Sequence, residues 1–323
     1  MNALNYHYIL DSIENKATST LSISDSDIEK IILKFRSDVY GALDNLCSGV
    51  ENIATLPTVR KWRAEASIGS IGEQISDFIN NWSASDMLPT FTGISGTAGA
   101  ATMAEIRTIT NVRTFFNITD DRLSLYNRLA SEKLAETLTA STFSSIKTII
   151  TDGIYNNLSA RDLQQRIFDV IPLSNIDTIN NDKFYKRIYE QTFQDAIDSG
   201  LTVRQAEKKA ILRAGGQAKK QALRLRNLRA ERIHRTETSR LKHNSDKIAM
   251  NQAIDSGAID EAEKIWRRTG FNDNWQSSVE NDGVSVGIND VFPYACETGS
   301  ADYPSEINER CYLEYRIKYK KRR

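Results

Sequence analysis

Residues 204–247 read RQAEKKAILRAGGQAKKQALRLRNLRAERIHRTETSRLKHNSDK. Fourteen Lys and Arg stand here against four acids, Glu207, Glu231, Glu237 and Asp246. The stretch reads as one very long helix, with a bend expected at Gly215-Gly216 because glycine is the weakest helix former after proline. Leu212, Leu223, Leu225 and Leu228 interleave with the charges, and no aromatic residue lies between Arg204 and Lys247. Such a segment is either a solvated face, a face that meets an acidic protein surface, or a run that neutralises phosphates on a nucleic acid. The missing aromatics remove the stacking platforms on which single-stranded bases rest.

Upstream the pattern is helical. Ser26 and Glu29 have capping-box spacing. Ile28, Ile31, Ile32, Phe35, Val39, Leu43 and Leu46 then recur at three- and four-residue steps, and Gly49 is placed to end that helix. A second helical stretch covers roughly residues 59–82. Residues 83–101 break the pattern with Pro89, Gly93, Gly96 and Gly99 among Ser, Thr and Ala, and read as a linker. Helices resume over 120–138, with Leu123, Tyr126, Leu129, Ala130 and Leu134 on one stripe, and over 143–154. Ser159 then caps a helix that Pro172 closes.

Downstream of Lys264 the period becomes two. Val284, Val286 and Ile288 alternate, as do the residues around Tyr312, Leu313, Tyr315 and Ile317, and Asn281-Asp282-Gly283 is placed for a turn. The expected fold class is α+β: a mostly helical N-terminal body with long amphipathic and basic helices, and a small β-containing C-terminal unit. The expected division is 1–83 helical, 84–101 linker, 102–263 helical body and 264–323 β unit.

Composition limits the function classes. The chain has 40% apolar and 26% charged residues, with Lys plus Arg equal to Asp plus Glu at 42 each, so net charge does not name a partner. No apolar run reaches membrane-spanning length. Met1 to Ser12 lacks the features of a secretory leader. Three cysteines, Cys47, Cys296 and Cys311, do not suggest a disulfide framework. No phosphate-binding glycine loop is present, and Gly93-Ile94-Ser95-Gly96 is followed by Thr97 where a nucleophile elbow needs glycine. No cofactor, metal, membrane or catalytic residue is expected from these patterns.

Five fragments occur in order: Arg232-Ile233-His234-Arg235-Thr236-Glu237-Thr238-Ser239-Arg240, then Ile265-Trp266, Asn281-Asp282-Gly283, Val291-Phe292-Pro293, and Glu309-Arg310-Cys311 before the last strand. Over about residues 230–315 this order resembles the Mu F-like head morphogenesis family, the minor head proteins of tailed phages. Two departures stand out. Ser278 occupies a place where the family commonly has His, and Glu309 stands where the first Cys of a Cys-Arg-Cys piece is usual. The resemblance implies a low-copy virion protein, assembled in the host cytoplasm, that acts in head assembly and in DNA packaging or ejection. It implies portal, capsid and scaffold proteins as partners and packaged DNA as a further contact; some relatives carry a toxin or enzyme domain after the terminal strand, and none is expected in this sequence, which stops a few residues past it.

Arg235, Glu237 and Arg240 are read as docking residues rather than catalysts, because Glu237 and Arg240 are three apart on a helix and able to pair. Trp266, Gly283 and Cys311 complete the expected junction between helix and β unit. Cys296 and Cys311 are either small buried residues or, with Glu309, weak candidates for an ion. Lys208, Lys209, Lys219, Lys220, Arg224, Arg226 and Arg229 are the expected contacts to nucleic acid or to a protein partner. The alternative function is a nucleic-acid-binding protein that touches packaged DNA or enters the host with it.

Overall fold

The computed structural model of the chain describes residues 16–21, 25–65, 71–155, 158–171, 173–268, 276–296, 301–304 and 311–320. In chain order the elements are β1 (Lys16–Leu21), α1 (Asp25–Ile53), α2 (Leu56–Glu65), α3 (Ile71–Trp82), a π-helical turn (Ser83–Met87), α4 (Leu88–Thr110), α5 (Asp121–Tyr155), α6 (Ala160–Val170), α7 (Asn175–Asp198), α8 (Val203–Asp255), β2 (Glu261–Arg267), α9 (Gln276–Asn281), β3 (Ser285–Gly287) and β4 (Tyr312–Lys320). The class is α+β, with a helical body and one small antiparallel sheet.

The sheet order is β1-β4-β2-β3. β4 pairs on one side with β1, Lys16 opposite Lys320 and Leu21 opposite Tyr315, and on the other with β2, Trp266 opposite Leu313. The alternation of β4 sends Leu313, Tyr315 and Ile317 into the core, while Glu314, Arg316 and Lys318 pair across the outer face with Arg267, Glu263 and Glu261 at 2.8, 3.1 and 2.9 Å. β1 has no counterpart in the expected division, which made the N-terminal region wholly helical. Its six residues, KATSTL, carry too little alternation to stand out.

The described residues fall into two compact units whose segments interleave along the sequence. One takes residues within Met1–Asp38, Leu88–Ala130 and Arg232–Arg323; the other takes those within Val39–Met87 and Ser131–Glu231. The sequential division expected from the pattern is therefore replaced. The sheet belongs to the first unit, whose core joins Met103 and Ile106 of α4 and Ala249, Met250 and Ala253 of α8 to Trp266, Phe292, Leu313, Tyr315 and Ile317.

The largest departure is residues 84–101. They form the π turn and the first half of α4, with Phe91, Ile94, Ser95, Ala98 and Gly99 buried. Three-residue spacing of glycines marks a helix face that neighbours approach closely. A Cβ on Gly99 lies 2.2 Å from the Phe116 ring, and one on Gly96 lies 2.4 Å from Ile118. Tertiary packing overrides the weak intrinsic propensity. Pro89 lies inside a helical run unbroken from Ile71 to Thr110, just after the π-helical turn, where the wider turn accommodates a residue without a backbone donor. Gly49 likewise does not end α1: it lies inside the helix, and a Cβ there meets the Phe78 ring at 1.8 Å.

Smaller differences follow the same logic. Residues 120–154 form the single helix α5, and α8 runs without interruption through Gly215-Gly216. The stretch expected over 59–82 is two helices, α2 and α3. Ser159 caps α6 as expected, its hydroxyl accepting from the Asp162 amide at 3.2 Å; Pro172 lies outside the described residues. Glu29 is engaged by Arg235 instead of serving a capping box.

Two kinds of glycine make a direct test. Gly99→Ala is expected to destabilise by about 1–2 kcal/mol through overpacking against Phe116, despite alanine's better helix propensity. Gly216→Ala, whose Cβ meets nothing within 4 Å, is expected to stabilise by roughly 0.5–1 kcal/mol. Urea unfolding of both variants reads the opposite signs.

Candidate functional site

In the first unit the motif residues sit on the C-terminal half of α8. Arg235 reaches the Glu29 carboxylate on α1. His234 is buried; its Nε2–H donates to the Ile32 carbonyl at 2.7 Å, and its Nδ1 accepts from the Thr238 hydroxyl at 3.3 Å. Glu237 and Arg240 pair at 2.9 Å, both mostly buried. The pairing expected from their spacing is therefore present. Their electrostatic neighbours are Tyr126 of α5 and Tyr303, whose hydroxyls share a hydrogen bond of 2.6 Å. Arg235 thus holds α8 to α1, not to the sheet.

The groups that hold α8 to α4 and to the sheet lie further along the helix. Lys242 and Asp246 form a fully buried pair at 2.6 Å, and the Thr102 hydroxyl of α4 donates to the same carboxylate at 2.6 Å. Burial pushes the Asp246 carboxyl up, opposed by Lys242 and Thr102. Lys247 bridges to Asp302 at 2.6 Å, and the buried Lys264 of β2 also reaches Asp302, donating to its carbonyl at 2.8 Å and pairing with its carboxylate. One carboxylate thereby ties helix to strand. Lys242 and Asp246 are legible in the sequence as an i, i+4 pair; their burial is not, because they lie in a basic run that reads as solvated.

His243 occupies the middle of this region. It is buried beside the Tyr303 ring, centroids 6.0 Å apart, with the Cys311 backbone next to its imidazole. Burial, with the cations of Lys242 and Lys264 adding to it, pulls the imidazole down to about 3. Neutral imidazole is the folded form at physiological pH.

Trp266 is fully buried and meets Phe292 edge-on at 5.1 Å. Gly283 takes φ +81° just after α9, in the left-handed region, and its N–H donates to the Trp266 carbonyl at 2.9 Å. A turn residue and the Trp strand are thus coupled through backbone. Cys296 and Cys311 are packed in the apolar core, Ser278 is buried in α9, and Glu309 lies outside the described residues. Cys311 is part of the junction only as core.

In the second unit the N-terminal half of α8 buries a row of alanines, Ala206, Ala210, Ala214, Ala218 and Ala222. Small residues let the helix seat closely while its remaining circumference stays in solvent. Lys208, Lys209, Lys219, Lys220 and Arg224 are exposed, as are Val203, Ile211, Leu212, Leu223 and Leu228, the side chain of Leu212 by 68%. Two members of the expected contact set are used internally. Arg226 caps the C-terminus of α6, donating to the carbonyls of Phe168, at 2.8 Å, and Ile171; a cation there satisfies orphan carbonyls and meets the negative end of the helix dipole. Arg229 donates to Ser141 at 2.9 Å and burial brings its guanidinium down to about 10, still charged at neutral pH.

Two outcomes are expected. Asp246→Ala costs about 3–5 kcal/mol because it strands a buried ammonium, against about 1–3 kcal/mol for Glu237→Ala; denaturant unfolding ranks them, and equal losses would reject the buried pair as the main tie. For His243 the folded value lies below the unfolded one, so the unfolded chain takes the proton first. Stability is full above about pH 6.5 and declines as pH falls toward 3, by about 1.4 kcal/mol per unit. Asp246 acts in the opposite sense, so the readout is the difference between wild type and His243→Phe across pH 7 to 4.5 in urea; parallel curves would remove the assignment. Comparison of the chain with protein-family models, with curated proteins and with solved structures finds no match.

Proposed function

We propose that the chain is a non-catalytic assembly protein of the kind its motif order resembles, a minor head protein that joins the portal and head shell of a tailed phage at low copy. The observation that carries this reading is the exposed face of α8 in residues 203–228. Seven cations, Arg204 and Arg213 among them, share that face with five large aliphatic side chains on a stretch that buries only alanines. Solvated helix faces do not gain from exposed Leu and Ile; a face of this composition gains free energy when an acidic, partly apolar protein surface covers it. The ionisable groups of the motif support the same reading, since Arg235, Glu237, Arg240, Lys242 and Asp246 are all spent on pairs that fix geometry.

Quantitative mass spectrometry of purified particles, with portal and major capsid protein as internal standards, tests it. The expected result is a stoichiometry near that of the portal and far below that of the capsid protein; absence from particles and procapsids alike rejects the proposal. Leu212→Ser with Leu223→Ser is expected to leave stability within about 0.5 kcal/mol, as for surface changes generally, while abolishing incorporation.

A second reading, contact with packaged DNA, is favoured by one observation: among the described residues Lys208, Lys209, Lys220 and Arg224 are exposed and make no hydrogen bond or ion pair. It predicts duplex binding that weakens steeply with salt and is lost in Lys208→Glu, Lys209→Glu, Lys220→Glu, Arg224→Glu. The leucine variants separate the two, since they spare phosphate contact.

A further inference from the structure

The second unit contains a cavity of about 210 Å³ walled by α6, α7 and α8. Next to it lies a cavity of about 250 Å³, and Gln165, Asp169 and Lys219 line both. The larger wall areas of the first are apolar, including Ile149, Ile211 and Ala218. About seven water-sized groups fit in such a volume, given about 30 Å³ for one liquid water.

Three features of this cavity have no structural use within the chain. Asn181 is nine-tenths buried, lines the cavity, and its carboxamide oxygen has no hydrogen-bond partner. Rotation about the last side-chain torsion exchanges its oxygen and nitrogen, so the amide can offer either to a ligand. Asp169 receives one hydrogen bond, from Gln165 at 3.1 Å, and no ion pair among the described residues. Gly215 and Gly216 stand in the wall, costing α8 about 1 kcal/mol each relative to alanine, yet a Cβ on either meets no atom within 4 Å. No neighbour requires them to be small; open space is what they provide.

The charges decide the ligand class. Arg166 is consumed: it bridges Asp152 at 3.1 Å and Asp182, and lies 4.9 Å over the Tyr185 ring. Lys186 closes the same cluster at 2.6 and 2.9 Å. Two cations thus offset two acids, and the Asp162 carboxylate is held by its capping serine. Lys219 also lines the cavity and acts on Asp169 from its exposed position, but forms no ion pair with it, so Asp169 is left as the acid that a bound group would meet.

We propose that this cavity binds a small organic cation with an aliphatic stem, an alkylguanidinium or alkylammonium, its charged end at Asp169, a further donor on the Asn181 carboxamide, and its stem against the apolar wall. Burial pushes the Asp169 carboxyl up despite Lys219, Arg226 and Arg166 nearby, and a cation placed there relieves that cost. The site does not rest on the portal reading, although Ile211 and Lys219 belong both to its wall and to the exposed face of α8.

The test uses the full chain and agmatine as probe, read by thermal shift and calorimetry at neutral pH. The expected result is a rise in melting temperature with a dissociation constant of about a millimolar or below, in keeping with the efficiency of ligands this small. Asp169→Asn weakens binding by roughly tenfold or more. Gly215→Leu, which fills the cavity from a helix that leucine favours, abolishes binding without lowering the ligand-free melting temperature. No shift at about 10 mM agmatine, or equal shifts in wild type and both variants, overturns the proposal. A parallel titration with N-acetyl-arginine-methylamide identifies the source: tighter binding than agmatine marks an arginine side chain presented by a polypeptide, and weaker binding marks a free cation.

Discussion

A four-residue step governs α8. One buried row runs Ala206, Ala210, Ala214, Ala218, Ala222, Ala230, His234, Thr238, Lys242, Asp246 and Met250, with Arg226 half-buried at the one intervening place, and toward the C-terminal end further positions such as Leu241, Ser245 and Ala249 are buried beside it. An α-helix turns about 100° per residue, so a step of four advances the buried line by about 40° each time. Over the length of α8 that line winds more than once around the helix. The contact is therefore a spiral, and the residues along it change from alanine, which seats the helix closely, to groups that fix it by hydrogen bonds and charge.

The spiral explains what a periodicity reading misses. A stripe is found when the same angular face stays apolar over the whole window. Here each face is buried for only a turn or two, and the apolar signal averages away while the charge signal accumulates. The stretch consequently reads as one solvated basic run, although its C-terminal half contains His234, Lys242, His243 and Asp246 in the interior of the first unit. Where burial keeps to one face, the sequence is transparent: Ile28, Ile31, Ile32, Val39, Leu43 and Leu46 of α1 are all buried, and the strand alternation of Leu313, Tyr315 and Ile317 is visible directly. Glycine misleads for a related reason. Local rules treat Gly93, Gly96 and Gly99 as breakers, whereas their role is set by Phe35, Ile118 and Phe116, rings and chains brought there from elsewhere in sequence.

The candidate site divides in the same way. The Glu237–Arg240 pair and the coupling of Gly283 to the Trp266 strand follow from spacing and turn chemistry. The partition of the basic residues does not. Whether an arginine faces water or caps a helix depends on where α6 ends, and Arg226 is indistinguishable from Arg224 until the carbonyls of Phe168 and Ile171 are placed beside it. Charge density on the exposed face is thus lower than composition suggests, and the share left for a partner is correspondingly more apolar.

The pairing of β1 with β4 has a consequence for synthesis. Lys16 and Lys320 are register partners, so the loop closed by that pairing spans roughly 300 residues, among the costlier closures a chain of this length can make. During translation β1 leaves the ribosome roughly 300 residues before its partner strand. Until β4 is made, β1 has its backbone groups unmatched along that side, a period in which an exposed edge invites pairing with a neighbouring nascent chain. The first unit reaches its final form only when its distant segments are all in hand.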